Sequence, residues 1–237
     1  MTSLDDLLTV QDLDTKVDQL RHRRETLPER AQLADAQAAL AAAEGRHEEC
    51  HGRLRALRSA QKEAEDHASL LEDKATAVQG SLYDGSVTAH KELEALQAEH
   101  AMLKEHQAEY EDRALELMEQ AEPVEEELAG IAAEVEAAKA EVERASAALA
   151  VAEAELDAQI DEVLAQRAAA VEGVPDDVLR AYEGLRTKLG GVGAARLEGA
   201  RCEGCHLTIP SAQLEEVRKA PPDAVVNCPE CMRILVR

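Results

Sequence analysis

The chain has 237 residues and a formal net charge of −23, with 26 Lys and Arg against 49 Asp and Glu. It contains no Trp, no Phe and three Tyr, which excludes a large globular core built on aromatic side chains. Residues 190–237 carry six basic and six acidic side chains, so the whole acidic excess lies in 1–189. That excess excludes binding of nucleic acid or an anionic membrane along this part of the chain.

The apolar content is mostly Ala, Leu and Val, mixed with Glu, Arg and Lys, a composition that indicates long helices or coiled coil. The start, Met1 to Leu8, lacks a basic segment followed by a long apolar run and is not read as a signal peptide. No stretch approaches 18 consecutive apolar residues, so no membrane span is expected. Leu4, Leu7, Leu8, Val10, Leu13, Val17 and Leu20 predict an amphipathic helix. Pro28 then marks a short break, with Thr26 or Leu27 capping the restart and Pro28 in its first turn. From Leu33 to Leu82 the apolar positions repeat with 3-4 spacing, the pattern of a coiled-coil seam. Many seam positions are Ala, and Cys50, His47 and Gln61 also lie on it.

Gly80 to Thr88 breaks the pattern with two glycines and predicts a turn, with Thr88 capping the next helix and Tyr83 packing across the loop, the alternative being an exposed recognition residue. A second arm repeats the spacing from Leu93 to Val163, with His100 and Gln107 on its seam. Folding the chain about residue 87 or 88 makes partner numbers sum to about 175 and matches the two arms in length. The expectation is an intramolecular antiparallel hairpin over 1–172, with its tip at about 80–90. Each arm would be ~120 Å long at the helical rise per residue. On this register Pro123 faces Gly52, and the glycine would make room for a proline kink.

Residues 173–193 predict a short helix, opened by Asp176 or Asp177, and a flexible link, Gly190-Gly-Val-Gly193. Residues 194–237 predict a small ribbon: a strand over Ala194–Arg201, a helix from Ser211 to Ala220, and short strands at Ala224–Asn227 and Ile234–Arg237. Within it Cys202-Glu-Gly-Cys205 and Cys228-Pro-Glu-Cys231 are separated by 22 residues. Two Cys-x-x-Cys pairs, each on a tight turn, suit one tetrahedral site in which four thiolates leave no open position. Cys202, Cys205, Cys228 and Cys231 are therefore the expected ligands of one structural Zn(II), although four thiolates also accept iron. So small a ribbon is expected to depend on the metal for folding, so that a chelator unfolds it. Using four of five cysteines in this way fits a reducing cytoplasm.

Cys202-x-x-Cys205-His206 also matches a c-type haem attachment pattern, but that reading needs export and leaves Cys228 and Cys231 unexplained. Cys50 reads as a small buried apolar group. Arg196, Arg201, Arg218, Lys219, Arg233 and Arg237 are the cations of the ribbon. They are candidate contacts for an acidic partner or nucleic acid, though the ribbon has no aromatics on which bases could stack. No phosphate loop, catalytic triad or paired carboxylates in a pocket is found, and the chain reads as no enzyme.

A helical hairpin followed by these two knuckles resembles the bacterial C4-type zinc-ribbon, coiled-coil proteins formerly described as a domain of unknown function. Ser81-Leu-Tyr-Asp-Gly85, Lys91 to Leu96, Leu27-Pro28-Glu29, Gly190 to Gly193 and Cys231-Met-Arg-Ile-Leu-Val236 are similar to that family's motifs. The Ala- and Arg-rich wording resembles an actinobacterial branch. The resemblance implies a mainly α fold, a long antiparallel coiled-coil hairpin followed by a C-terminal C4 zinc ribbon with short β-strands. It implies no catalysis; relatives act as chaperone-like partners in flagellar or type III secretion, and one binds messenger RNA. One departure is Met232, where the second knuckle often has Gly, so some distortion of that knuckle is expected. The resulting expectation is a cytoplasmic zinc-ribbon adaptor or chaperone-like protein that docks a partner protein. The alternative is a nucleic-acid-binding regulator acting through the ribbon's basic residues. An Ala-rich seam also allows a homodimer.

Overall fold

The computed structural model describes residues 3–221 and 224–237. Met1 and Thr2, where the reading of the N-terminus began, lie outside the described residues. The elements are α1 (Ser3–Glu25), α2 (Pro28–Tyr83), α3 (His90–Val171), α4 (Asp176–Lys188), β1 (Ala194–Glu198), β2 (Arg201–Cys202), α5 (Ser211–Lys219), β3 (Val226–Asn227) and β4 (Ile234–Val236). They form a long helical hairpin with short strands near its C-terminal end. No helix among the described residues is long and apolar enough to cross a membrane.

The chain divides into two compact units, residues 33–145 and residues 1–32 with 146–237. In the first, α2 and α3 run antiparallel, as the ion pairs Arg46–Glu134, Arg53–Glu127 and Arg58–Glu125 show. The seam is built largely of small residues: Ala36, Ala43, Cys50, Ala64, Ala68, Ala75, Ala114 and Ala121 are buried, with Leu103, Leu117, Ile131 and Val135. Cys50 Sγ lies 3.6 Å from the Val124 carbonyl oxygen, a pairing close to the expected register. The arginines reach further along α3 because helical side chains lean toward the N-terminus of their own helix. The two seam glutamines are satisfied by neighbours on the same helix, whereas His100 Nε2 is buried without a hydrogen-bond partner among the described residues. Gln107 accepts from Lys104 and donates to Glu111, and Gln61 accepts from Arg58 and donates to Glu65. Tyr110 stacks on His67 with ring centroids 4.9 Å apart.

Three expectations for this unit are corrected. The helix continues through Pro123, which is exposed, and a Cβ at Gly52 would meet nothing within 4 Å. Gly52 therefore provides no clearance for a kink. At the tip, Tyr83 is 83% exposed rather than packed across the loop. The turn holds itself: the Asp84 N–H donates to Gly80 O at 3.0 Å, and the Ser86 N–H donates to Asp84 Oδ1 at 2.8 Å. Those Ser86 hydrogen bonds hold the Asp84 carboxyl below its ordinary range. The α3 N-cap position falls to Ala89, whose carbonyl accepts from Glu92 and Leu93, rather than to Thr88.

In the second unit α1 ends at Glu25 and α2 restarts with Pro28 as its first residue, where no intrahelical N–H is missed. Leu27 turns inward with Val17, Leu20, Leu156, Ile160 and Val163. A larger cluster joins α1 (Leu4, Leu7, Val10), Val174, α4 (Val178, Tyr182), β1 (Ala194) and β4 (Ile234, Val236). Full burial of each such aliphatic side chain contributes about 1.5–3 kcal/mol, so β1 and β4 share the helices' core rather than standing apart from it.

The sheet order is β2-β1-β4-β3, with β1 parallel to β4 and the other pairs antiparallel. The single strand expected over Ala194–Arg201 is instead two, because Gly199, at φ 61°, reverses the chain between β1 and β2. Helix α5 begins at Ser211, as expected, and Pro210 occupies the cap position without a side-chain hydrogen bond.

Candidate metal centre

Each Cys-x-x-Cys pair closes the same turn. The His206 N–H donates to Cys202 O at 2.7 Å, and the Met232 N–H donates to Cys228 O at 2.9 Å. His206 and Met232 both sit at φ 63°. The expected distortion at Met232 is therefore absent: methionine adopts the left-handed geometry that glycine would take without strain, and the turn is kept. Backbone N–H groups of Gly204 and Cys205 point at Cys202 Sγ, and those of Glu230 and Cys231 point at Cys228 Sγ. Each knuckle thus aims its own amide dipoles at a sulfur that must carry negative charge.

The two turns bring all four sulfurs within 4.8 Å of one another. Cys202 Sγ is 3.9 Å from Cys231 Sγ, and Cys205 Sγ is 3.9 Å from Cys228 Sγ. Cys202 and Cys228 are fully buried; Cys205 and Cys231 are half-buried. Burial pushes the Cys202 thiol up to about 12 and raises Cys228 as well. Burial acts to raise Cys231 too, but hydrogen bonds from Arg233 and the adjacent sulfurs outweigh it and bring Cys231 down to about 7. Four sulfurs gathered this closely, two of them fully buried, fit a divalent thiophilic cation, which would displace their protons and fill its coordination sphere with no place for substrate.

The sulfurs also line a core, with Ala195, Ile209, Leu214, Val217 and Leu235. Helix α5 covers this side through Leu214 and Val217, and Arg237 holds its end by donating to the carbonyls of Val217, Ala220 and Pro221. The six candidate cations therefore differ in what they do. Arg237, Arg218 (to Gly199 O, 3.0 Å) and Arg233 (to Val192 O and Gly204 O) all donate to backbone carbonyls. Lys219 pairs with Glu215 at 3.1 Å, Arg201 lies 3.7 Å from Glu203, and Arg196 is exposed on β1.

The link Gly190–Gly193 is not a free hinge. Gln11 of α1, 5% exposed, donates to Gly191 O and accepts from the N–H groups of Gly193 and Ala194. Beside it lies a second group of residues that the motif reading missed. Tyr182 OH donates to Asp14 Oδ2 at 2.7 Å, and Arg167 pairs with the same carboxylate at 2.6 Å. Arg186 reaches Asp14 at 3.6 Å and also pairs with Asp18. Asp14 is the polar break in an otherwise apolar series, Leu7, Val10, Val17, at coiled-coil spacing, and that spacing was the available signal.

Fold and site together define a helical coiled-coil hairpin carrying a C4 zinc ribbon. The CT398-like coiled coil hairpin domain matches residues 10–190 and the C4-type zinc ribbon domain matches residues 201–235, and the chain belongs to that family. With the ribbon match, the sulfur cluster supports one structural Zn(II). The chain is 32% identical to the uncharacterized protein Rv2229c of Mycobacterium tuberculosis, over 98% of this chain and 94% of that one. A solved structure from Mycobacterium smegmatis covers 100% of both chains at 28% identity, with a TM-score of 0.74. CT398 from Chlamydia trachomatis has the same fold, with a TM-score of 0.73 at 21% identity over 99% of this chain and 97% of that one.

Proposed function

We propose that the protein is a non-enzymatic, cytoplasmic adaptor or chaperone-like protein whose zinc ribbon docks a partner protein. In this reading Cys202, Cys205, Cys228 and Cys231 hold the ion, and the ion does no chemistry beyond shaping the ribbon. The observation that carries the reading is the exposed surface of the knuckles. Leu207 is 51% exposed and Met232 is 54% exposed, and each belongs to a closed knuckle or follows it directly. Met232 keeps a left-handed backbone that glycine would adopt at lower cost, and strain retained at an exposed position is a mark of a working surface. The nucleic-acid reading has less support, because Arg218, Arg233 and Arg237 are engaged with carbonyl groups of their own domain.

The test is a pull-down from native extract, with and without nuclease, using the intact chain, Cys202→Ser/Cys205→Ser and Leu207→Ser/Met232→Ser. A protein retained after nuclease by the intact chain, and lost by both variants while the second keeps its zinc, is expected. Retention that disappears with nuclease overturns the proposal.

A further inference from the structure

Arg233 follows the second knuckle, yet its side chain serves the first. Its Nη1 donates to Gly204 O at 3.0 Å, between Cys202 and Cys205, while its own carbonyl accepts the Cys228 N–H at 2.8 Å. Its Nε donates to Val192 O at 3.1 Å, in the strap that Gln11 holds against α1. The fit is close: a Cβ at Gly204 would lie 2.7 Å from Arg233 Cδ and 2.8 Å from Ala195 Cβ. One planar guanidinium, with its fork of fixed donors, thus spans knuckle to knuckle and knuckle to strap.

We propose that Arg233 is a positioning residue for the zinc site, tying the two knuckles to each other at a point outside the coordination sphere. The inference rests on the four cysteines being the ligands and adds what holds them in place. A site held together only by zinc must assemble around the ion and reopen to release it. A site tied at a second point resists that reopening and loses its ion more slowly. Groups that orient metal ligands from outside the coordination sphere are worth roughly 10–100-fold in metal affinity.

The control lies in the same domain. Arg237 also donates to three backbone carbonyls, but those belong to the end of α5 and its exit rather than to either knuckle. Zinc release from the full-length, zinc-loaded chain to an excess of a colorimetric chelator is compared for wild type, Arg233→Gln, Arg233→Lys and Arg237→Gln. The bound metal of each is measured beforehand. Arg233→Gln is expected to release zinc about 10–100-fold faster, with Arg237→Gln within about two-fold of wild type. Arg233→Lys, which can satisfy one carbonyl but not both, falls between and serves if the glutamine variant does not fold. Equal acceleration in the position 233 and position 237 variants, or none at 233, overturns the proposal while leaving the cysteine site intact. A wild-type chain that binds no zinc overturns the cysteine reading and this inference with it.

Discussion

Replacing Tyr182 with Phe removes one hydroxyl from a buried polar contact. Tyr182 is 0% exposed and donates at 2.7 Å to Asp14, whose side chain is 7% exposed. A hydrogen bond to a charged group contributes about 1.5–3 kcal/mol, and phenylalanine leaves no orphaned donor of its own. Asp14 keeps Arg167 and Arg186 as partners, so a loss of about 2 kcal/mol is expected, which lowers Tm by roughly 4–8 °C for a chain of this size. Asp14→Ala should cost more, because it leaves the Tyr182 hydroxyl without its acceptor and reduces Arg167 and Arg186 to their outer partners, Glu183 and Asp18. In the Asp14→Ala background the tyrosine substitution should then cost little, since its acceptor has gone. Burial first, and then Asp14, raise Tyr182 above the ordinary tyrosine value. The folded state therefore disfavours the phenolate: this contribution is intact below about pH 10 and falls as pH rises beyond it. Thermal melts of the zinc-loaded protein give the first quantities, and phenolate absorbance during an alkaline titration gives the last. Additive costs for the two substitutions, or a Tyr182 that ionises before unfolding, would refute the argument.

Met232→Gly should keep zinc and raise stability by about 1 kcal/mol, read as a higher melting temperature, because it relieves a left-handed non-glycine residue. Gly52→Ala should stabilise by about 0.5–1 kcal/mol in denaturant unfolding, since its Cβ enters open space in a helix interior. Gly193→Ala should destabilise markedly in the same assay, because its Cβ would sit 2.7 Å from Tyr182 O. Removing zinc should release the knuckles and β2 to hydrogen exchange while β1 and β4 stay protected by their share of the α1 and α4 core.

The helices and the cysteine site were legible because their signals are local and periodic. Three-four spacing named the seam residues that are buried, and two Cys-x-x-Cys pairs named the four sulfurs that come together. Pro28 was legible as a helix start for the same reason, since proline's missing N–H has one tolerated place in a helix. What was not legible depends on distant partners. Gln11 looks like a solvated residue of α1 until the strap arrives 180 positions later to bond it. Asp14 looks like a surface charge until Arg167, Tyr182 and Arg186 surround it. Arg233 looked like a free cation because sequence shows charge and not the carbonyls that use it. Tyr83 failed in the other direction: an aromatic in an aromatic-poor chain invites a packing explanation, and the tip leaves it in water.

The cluster that joins Leu4, Leu7 and Val10 to Ile234 and Val236 also sets an order of events. At about 5–20 residues per second, a ribosome needs roughly 10–45 s to travel from the codon for Val10 to that for Ile234. Throughout that interval the apolar face of α1 lacks the strand that finally covers it. Nearly the whole hairpin is synthesised before its base can close, so the nascent chain carries an open greasy end while its acidic arms are already made. Contacts this far apart in sequence fold late and slowly. The strong negative charge of residues 1–189 would then keep neighbouring nascent chains from meeting at that end before β4 arrives.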